Sequence, residues 1–412
     1  MTSADAISPD LLDISDARAF LNGHPHDAYD RLRQSDPVHR VADPLGGEPY
    51  WLLTRHEDIR AVSLDTANWT STRGSRVMEA GRAALLEPDV VDAVRRNMLA
   101  VDPPEHSEFR KPLVSSFTAR ALSSIEQSVA QAVEGLLDGF AGRDEIEIVS
   151  EFSGIIPIKA LCLLLGVPDA DEQAIFDWTN VMVGVSDPEY GISAEETSRI
   201  HREVFAYGRA LMDERRKGDD DDVLSIVARM EIGGKPFLGP ELDGMIALLL
   251  AAGNETTRNS LTGGILALAR FPEERRKLAT NPDLMNGAVE ELLRFVTPVI
   301  QMARTANNEV LLGGKSIPAG DKVVLLYGAA NHDPALFVDP HSLHLDRANA
   351  REHLAFGIGV HHCLGAHMAR LQMRIALRLL LQRYPDFAVS REPDYLQSNF
   401  VSSVKRAGIA LQ

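Results

Sequence analysis

A long, mostly apolar helix, predicted from Gly239 to Arg270, is the feature that most constrains the fold of this chain. Its longest apolar run, Met245 to Ala252, is much shorter than the roughly 20 residues needed to cross a bilayer. A polar block with the sequence NETT follows at 254–257, and such side chains are costly inside an apolar helix unless they are paired or hydrated. Either the threonine hydroxyl bonds back to its own helix, or the block belongs to a functional site.

The rest of the sequence is predominantly helical, with short stretches of strand character. Apolar side chains recur at three- and four-residue steps, which indicates amphipathic helices, whereas alternation and glycine pairs indicate strands and turns. No linker interrupts this pattern. We therefore predict a single mainly α domain with a small β region over residues 25–412, preceded by an N-terminal extension over residues 1–24. Helices are predicted at 125–140, 158–165, 239–270, 281–295 and 364–383, and strands within 36–54 and 308–327.

The composition of the chain excludes several classes of protein. The net charge of -17 argues against binding to nucleic acid, which needs clustered positive charge. Two cysteines in 412 residues cannot build a disulfide framework, so a reducing compartment is expected. The N-terminus is acidic and interrupted by Pro9, which is unlike a signal peptide. We therefore expect a cytoplasmic protein with neither nucleic-acid nor membrane partners.

A glycine-rich loop leads into a helix at Cys363, where the sequence points most clearly to chemistry. The start of a helix supplies partial positive charge and free backbone N–H groups, which favour the thiolate form of a cysteine. Gly359 and Gly365 let the backbone pass close to a large, flat group. Two other interpretations remain open at this point. Either the thiol is a buried structural cysteine, or it binds zinc together with His361, His362 and His367.

This loop carries a resemblance to a known family. Phe356, Gly359, His361, Cys363 and Gly365 form the pattern F-x-x-G-x-H-x-C-x-G, which resembles the haem-binding loop of the cytochromes P-450. The resemblance implies the triangular, mainly α fold of that family and a haem b cofactor (iron protoporphyrin IX). It makes Cys363 the thiolate ligand of the iron, where electron donation from sulfur favours cleavage of the O–O bond. It also makes Phe356, Gly359 and His361 haem contacts.

The resemblance assigns roles to the polar block of the long helix. A small residue and a glycine, Ala252 and Gly253, make room for dioxygen beside the iron. The Thr256 hydroxyl is then expected to hydrogen-bond the dioxygen, while the carboxylate of Glu255 relays protons. Both residues are therefore predicted to be catalytic.

Basic side chains are expected to contact the haem propionates. His106 and Arg110 lie one helical turn apart, so their side chains point in the same direction. Together with Arg304 and His361 they match the propionate contacts of the resembled family. Each of them alone is equally compatible with a solvated surface side chain.

The segment Glu291-Leu292-Leu293-Arg294 matches a further motif of the family, a buried glutamate–arginine pair. In the family, an arginine or histidine from a loop nearer the cysteine completes this pair. Here Ser342 stands where that third member is expected, and we expect His341 or His344 to take its place.

The resemblance also predicts an apolar substrate pocket, so the substrate should be largely hydrocarbon. The tail at 398–401 is similar to that of bacterial relatives that act on steroids or terpenoids. The predicted substrate contacts are Leu248, Ala252, Val299, Ile300, Phe400 and Val401.

The implied activity is hydroxylation of a hydrophobic small molecule with dioxygen. Electrons must come from another protein, expected to be a ferredoxin with its reductase, because the chain has no flavin or nicotinamide motif. Arg370, Arg374 and Arg378 are predicted to form its docking site, since complementary charge speeds encounter. A peroxide-driven enzyme of the same fold and a haem protein that only binds gas remain alternatives.

Overall fold

The computed structural model describes residues 12–45, 47–79, 86–184, 187–190, 192–218 and 222–412. Residues 1–11 of the predicted N-terminal extension and Gly46 of the first predicted strand pair lie outside this part of the chain. Within it, helices predominate and strands are short, which confirms the predicted fold class. None of the described helices is long and apolar enough to span a membrane.

The helices follow one another along the chain with few strands between them. They are α1 (His26–Ser35), α2 (His56–Leu64), α3 (Pro88–Val94), α4 (Glu105–Arg110), α5 (Ala119–Asp138), α6 (Ile155–Leu165), α7 (Glu172–Gly184), α8 (Ala194–Arg215), α9 (Val223–Ala228), α10 (Pro240–Arg270), α11 (Pro272–Thr280), α12 (Met285–Val296), α13 (Tyr327–Ala330) and α14 (Ala366–Arg383).

Among the described residues, the strands form one five-stranded sheet, one three-stranded sheet and two two-stranded sheets. They are β1 (Val38–Val41), β2 (Tyr50–Leu53), β3 (Trp69–Thr70), β4 (Glu145–Glu147), β5 (Glu231–Ile232), β6 (Lys235–Pro236), β7 (Gln301–Ala306), β8 (Val310–Leu312), β9 (Lys315–Ile317), β10 (Lys322–Leu326), β11 (Phe387–Tyr395) and β12 (Val404–Leu411).

The largest described sheet has the strand order β1-β2-β10-β7-β3. Its pairs are antiparallel except that β10 runs parallel to β2. A second sheet, β11-β12-β4, joins the end of the chain to the segment after α5. Within these sheets, β1, β2 and β10 lie in the segments predicted to contain strands, whereas β3, β4 and β7 lie outside them.

Helix α10 is the central element of the fold. It begins at Pro240, directly after Gly239, whose φ of 71° is a left-handed conformation that glycine adopts easily. Its first half packs in one apolar core with α3, α6 and α8, while its second half packs in another with α5, α12 and α14. The two cores separate near Ala252, which is exposed. The polar block therefore lies where the helix passes between the cores.

The described part of the predicted N-terminal extension packs against the rest of the chain. Leu12, Ile14 and Phe20 are buried in an apolar cluster with Tyr29 of α1. These side chains cover one face of the main sheet, so at least residues 12–20 contribute to the folded core. The boundary at residue 24 itself stays a prediction.

Candidate active site

The loop around Cys363 has a conformation that only glycine permits at two positions. Gly357 and Gly359 have φ values of 63° and 77°. A Cβ atom at Gly359 would lie 2.6 Å from the carbonyl oxygen of Ser63, closer than real contacts allow. A hydrogen bond of 2.8 Å from the Cys363 backbone N–H to the Phe356 carbonyl closes the loop. The loop therefore passes close to the end of α2 at Gly359, and it closes at Cys363.

The environment of the Cys363 thiol combines burial with positive charge. Burial raises the pKa of the thiol, whereas the Gly365 backbone N–H and the guanidinium groups of Arg110 and Arg370 lower it. Helix α14 begins at Ala366, with Gly365 as its N-cap residue. The N–H donation expected from the sequence is therefore present, but burial outweighs it in the protein alone. Residue 363 as a whole nevertheless has exposed surface.

Four predicted propionate contacts come together from three parts of the chain. The rings of His106 and His361 lie edge to face, with centroids 4.5 Å apart. Within the described residues, neither Arg110 nor Arg304 forms an ion pair, and Arg304 donates only to the neighbouring carbonyl of Ala303 at 2.7 Å. Burial, Arg304, His106 and Arg110 lower the pKa of His361 to about 3.

This cluster fits a dianionic group. His361 Nδ1 and His106 Nε2 are buried and have no hydrogen-bond partner among the described residues. Unpaired buried polar nitrogens are costly. Here they lie beside two arginines, whose like positive charges repel each other. A pair of carboxylates placed among them would satisfy the donors and neutralise the charges. The residues therefore fit the two propionates of a haem, with Cys363 in the same loop as His361.

The polar block of α10 carries a second set of candidate groups. The Thr256 hydroxyl donates to the Ala252 carbonyl at 2.8 Å, so the threonine does bond back to its own helix. This bond uses the proton of the hydroxyl, while the oxygen keeps lone pairs that accept hydrogen bonds. The back-bond is therefore compatible with a catalytic role for the half-buried side chain.

The Glu255 carboxylate is buried and held on one side only. Its Oε1 accepts hydrogen bonds from Ser403 at 2.6 Å, from Asn259 at 3.1 Å and from Arg258. Its Oε2 has no partner among the described residues. The sequence reasoning missed Arg258, Asn259 and Ser403 in this role. The available signal was the positive charge of Arg258 three residues after Glu255, a spacing that brings opposite charges together on a helix.

Glu255 also borders a route toward the surface. A void of about 10 Å³ is lined by Glu255, Arg258, Tyr190 and Lys405, which is enough for about one water molecule. A cleft of about 380 Å³ shares Arg258, Tyr190 and Lys405 with this void. The void beside the buried carboxylate and the open cleft therefore share part of their lining.

The Glu291–Arg294 pair is completely buried, and its third member differs from the prediction. Arg294 donates to Glu291 at 2.7 and 2.8 Å. The Nε of Arg347 donates to both carboxylate oxygens at 3.0 Å. The prediction of His341 or His344 is therefore wrong. The loop doubles back after Ser342 and brings Arg347 to the pair, whereas position 342 contributes only its carbonyl oxygen to the arginines.

The predicted docking row on α14 needs a partial correction. Arg370 forms an ion pair with Glu290 at 2.8 Å, and its guanidinium lies 4.4 Å from the Phe356 ring centroid. The Arg370 guanidinium is therefore already paired within the protein and is not free to bind a partner protein. Arg374 is half-buried and Arg378 is exposed, and neither forms an ion pair in the described part of the chain.

The predicted substrate contacts differ in how much surface they present. Leu248 is half-buried and Ala252 exposed on α10, while Val299 pairs with Val401 in an isolated β-bridge. Phe400 is half-buried beneath the guanidinium of Arg76, which lies 4.3 Å from its ring centroid. The side chains of Ile300 and Val401 are almost entirely buried. These two therefore present little surface to a pocket, and Ile300 packs in the core beside the main sheet.

Comparison with known proteins identifies the family. The profile of the cytochrome P-450 family matches residues 193–405. A methyl-branched lipid omega-hydroxylase of Mycobacterium tuberculosis is 34% identical over 388 residues, which cover 92% of this chain and 89% of the relative. Linalool 8-monooxygenase of Pseudomonas putida is 30% identical, covering 100% of this chain and 99% of the relative. A solved Mycobacterium marinum cytochrome P-450 in complex with pseudoionone matches with a TM-score of 0.88 and 30% identity, covering 100% of both chains.

The chain belongs to the cytochrome P-450 family. It is accordingly an oxidoreductase of the monooxygenase class, with a haem cofactor, a redox partner and a hydrophobic substrate. Family membership favours haem over zinc at Cys363, and it agrees with the unpaired donors found beside that loop.

Proposed function

We propose that this chain is a haem b monooxygenase that hydroxylates an acyclic, branched hydrocarbon such as a terpenoid or a branched lipid. The observation that carries this proposal is that Cys363 lies beside a cluster of four basic side chains, in which two buried histidine nitrogens have no hydrogen-bond partner among the described residues. When bound there, a thiolate-ligated haem supplies the activation of dioxygen. We further propose a cytoplasmic location, as the low cysteine content favours.

The proposed cofactor contacts have two roles: some bind the haem, and others stabilise the thiolate that ligates its iron. Cys363 ligates the iron, and the N–H of Gly365 and the charges of Arg110 and Arg370 favour its thiolate form against the effect of burial. His106, Arg110, Arg304 and His361 bind the propionates. Phe356 and Gly359 shape the loop so that the sulfur reaches the iron.

The proposed proton path runs through the polar block of α10. Glu255 Oε2 is the free carboxylate oxygen, and the neighbouring void offers room for one water molecule. A proton taken up at this carboxylate would pass toward the Thr256 hydroxyl, which could donate toward bound dioxygen once its bond to the Ala252 carbonyl is released. Arg258 keeps the carboxylate anchored through its other oxygen.

The substrate class rests on the relatives and on the pocket side chains. One relative is named for a methyl-branched lipid and another for linalool, and a solved relative binds pseudoionone. Leu248, Ala252 and Val299 are apolar and retain surface, so they support a hydrocarbon ligand. Ile300, Phe400 and Val401 remain predicted contacts.

The proposed electron donor is a ferredoxin supplied by a reductase. Arg374 and Arg378 on α14 are the remaining candidates for its docking, because Arg370 is already paired. The complementary partner surface would be acidic.

A comparison of electron sources tests the proposal. Acyclic terpenoids and branched fatty acids are screened for a change in iron spin state, and a ligand that binds is turned over with ferredoxin, reductase and a reduced nicotinamide. Hydroxylated product that depends on the ferredoxin supports the proposal. Product formed only with added peroxide indicates the peroxygenase alternative, and absence of product with retained gas binding indicates the non-catalytic one.

A Thr256→Ala variant tests the proposed proton path in the same assay. Loss of the hydroxyl removes the donor to dioxygen, so we expect unchanged ligand binding but less product and more peroxide per electron consumed. Thr256→Ser keeps the hydroxyl and is the matched control, expected to restore coupling. Equal product per electron in Thr256→Ala and the parent protein would show that the hydroxyl has no such role.

A further inference from the structure

A cluster of histidines lies at the junction of three segments that are distant in sequence. His26 begins α1, His332 follows α13, and His341 lies in the loop that leads to Arg347. The ring centroid of His26 is 4.2 Å from that of His332 and 5.3 Å from that of His341. The rings of His332 and His341 are stacked, with centroids 5.2 Å apart. One nitrogen of each histidine lies within 4.8 Å of those of the other two.

Hydrogen bonds at one nitrogen of His332 and of His341 leave the other nitrogen of each ring free. His332 Nδ1 lies 3.0 Å from the Gly328 carbonyl, so it carries the proton and leaves the Nε2 lone pair open. His341 Nε2 lies 2.8 Å from the Asp30 carboxylate, which in the same way leaves Nδ1 open. Carboxylates and carbonyls in this position orient metal-binding histidines and increase their basicity.

The third histidine carries an unsatisfied atom. His26 Nδ1 is buried and has no hydrogen-bond partner among the described residues. Such a nitrogen is costly in a protein interior unless something binds it. A cation between the three rings would satisfy it together with the two open lone pairs.

We propose that His26, His332 and His341 bind a transition-metal ion, with Zn²⁺ the expected metal. Imidazole nitrogen is a preferred ligand of zinc, copper and nickel. Zinc accepts three histidines with a water molecule in the fourth position, and the exposure of His341 allows solvent to reach that position.

The charges around the cluster are compatible with a cation. Burial lowers the pKa of His26 most, followed by His24 and His341 and then by the guanidinium groups of Arg33 and Arg294. Arg33 is paired with Asp30, and Arg294 with Glu291.

A neighbouring histidine is excluded as a ligand by its own contacts. His24 lies 5.6 Å from His26 between ring centroids, but its Nε2 contacts the Thr297 carbonyl at 2.8 Å. Its Nδ1 lies 3.4 Å from the Tyr29 hydroxyl. The proposed site therefore has three protein ligands.

A metal here would join α1 to the loop that supplies Arg347. Asp30 contacts His341 from α1, and Arg347 contacts Glu291 from the other end of the same loop. The ion would thus tie the start of the domain to the buried Glu291–Arg294 pair. The site shares no residue with the proposed haem and substrate contacts, so its role is structural.

Zinc binding to the haem-loaded, tag-free chain tests the proposal. The protein is treated with a chelator, dialysed against Zn²⁺ and analysed for zinc and iron by atomic emission. We expect one tightly bound Zn²⁺ per haem and a higher apparent unfolding temperature with the metal. X-ray absorption at the zinc edge should show a nitrogen-rich first shell.

Variants separate this site from adventitious binding. His341→Ala removes an exposed ligand with little risk to folding and should abolish both the tight zinc and the thermal shift. Asp30→Asn should weaken zinc affinity by about 10- to 100-fold, because it removes the carboxylate behind His341. His344→Ala is the matched control, since this exposed histidine of the same loop contacts Asp339 instead.

Two results would overturn the proposal. One is a parent protein that binds Zn²⁺ only weakly, without a thermal shift. The other is equal zinc affinity in the parent protein and in His341→Ala, with haem content confirming that both are folded.

Discussion

The Ser403 hydroxyl donates a 2.6 Å hydrogen bond to the Glu255 carboxylate, across 148 positions of sequence. This bond connects the middle of α10 to the residue that precedes β12. It fixes one carboxylate oxygen and leaves the other, Oε2, without a partner among the described residues. The anchored carboxylate therefore leaves one defined atom, Oε2, for the proton transfer proposed above.

Glu255→Gln therefore tests proton delivery with a minimal change of shape. The amide retains the contact to Ser403 but cannot carry a titrating proton, so we expect product formation to slow by roughly 100-fold, as for loss of a general acid. Haem content and the ligand-induced change in spin state should be unaffected. The rate of product formation with saturating ferredoxin is the measurement, and a rate equal to that of the parent protein would contradict the assignment.

Arg347→Ala tests the corrected Glu291 network. Removing Arg347 leaves the completely buried Glu291 carboxylate with one arginine partner instead of two. Breaking a buried ion pair of this kind lowers the free energy of unfolding by about 3–5 kcal/mol. We expect reduced haem incorporation and a lower unfolding midpoint in denaturant. His344→Ala is the control, because only the backbone N–H of His344 reaches Glu291. Loss of stability in His344→Ala but not in Arg347→Ala would favour the original prediction.

The difference between these two residues shows what the sequence reveals and what it leaves open. The helix that carries Glu291 and Arg294 follows from local periodicity, and so do α5, α10 and α14. The partner at Arg347 depends on how an irregular loop doubles back, and no periodic pattern fixes such a path. The third member of the network was therefore expected at position 342, five residues before Arg347.

The candidate site shows the same division. The residues of the cysteine loop and of the polar block are contiguous motifs, which the sequence presents directly. Ser403 reaches Glu255 only because β12 packs beside α10, and His26 meets His332 and His341 only through tertiary folding. Neither contact has a signal in sequence spacing. Burial also opposes the helix terminus at Cys363, a balance that depends on the surrounding structure.

The low pKa of His361 predicts that the stability of the haem-free chain depends on pH. Its pKa in the folded state, about 3, lies below the ordinary value of 6.5, so the unfolded chain binds the proton more readily. Its contribution to stability is therefore complete above about pH 6.5 and is lost as the pH falls toward 3. At pH 5 the loss attributable to this group is at most about 2 kcal/mol.

Denaturant unfolding of the haem-free protein at pH 7.5 and pH 5 measures this effect. Since other buried histidines act in the same direction, the comparison is with His361→Gln, which should lose less stability between the two pH values. Haem binding should reduce the dependence in the parent protein, because propionates favour the protonated ring. An identical pH dependence in the parent protein and in His361→Gln would contradict the proposed environment.

The spectrum of the reduced carbon monoxide complex tests the central claim, that Cys363 is the thiolate ligand of a haem iron. We predict the spectrum typical of a haem with sulfur ligation in the parent protein and its loss in Cys363→Ala, whereas Cys162→Ala should keep it because Cys162 is buried in the core. A sulfur-type spectrum that persists in Cys363→Ala, or nitrogen ligation in the parent protein, would contradict the account.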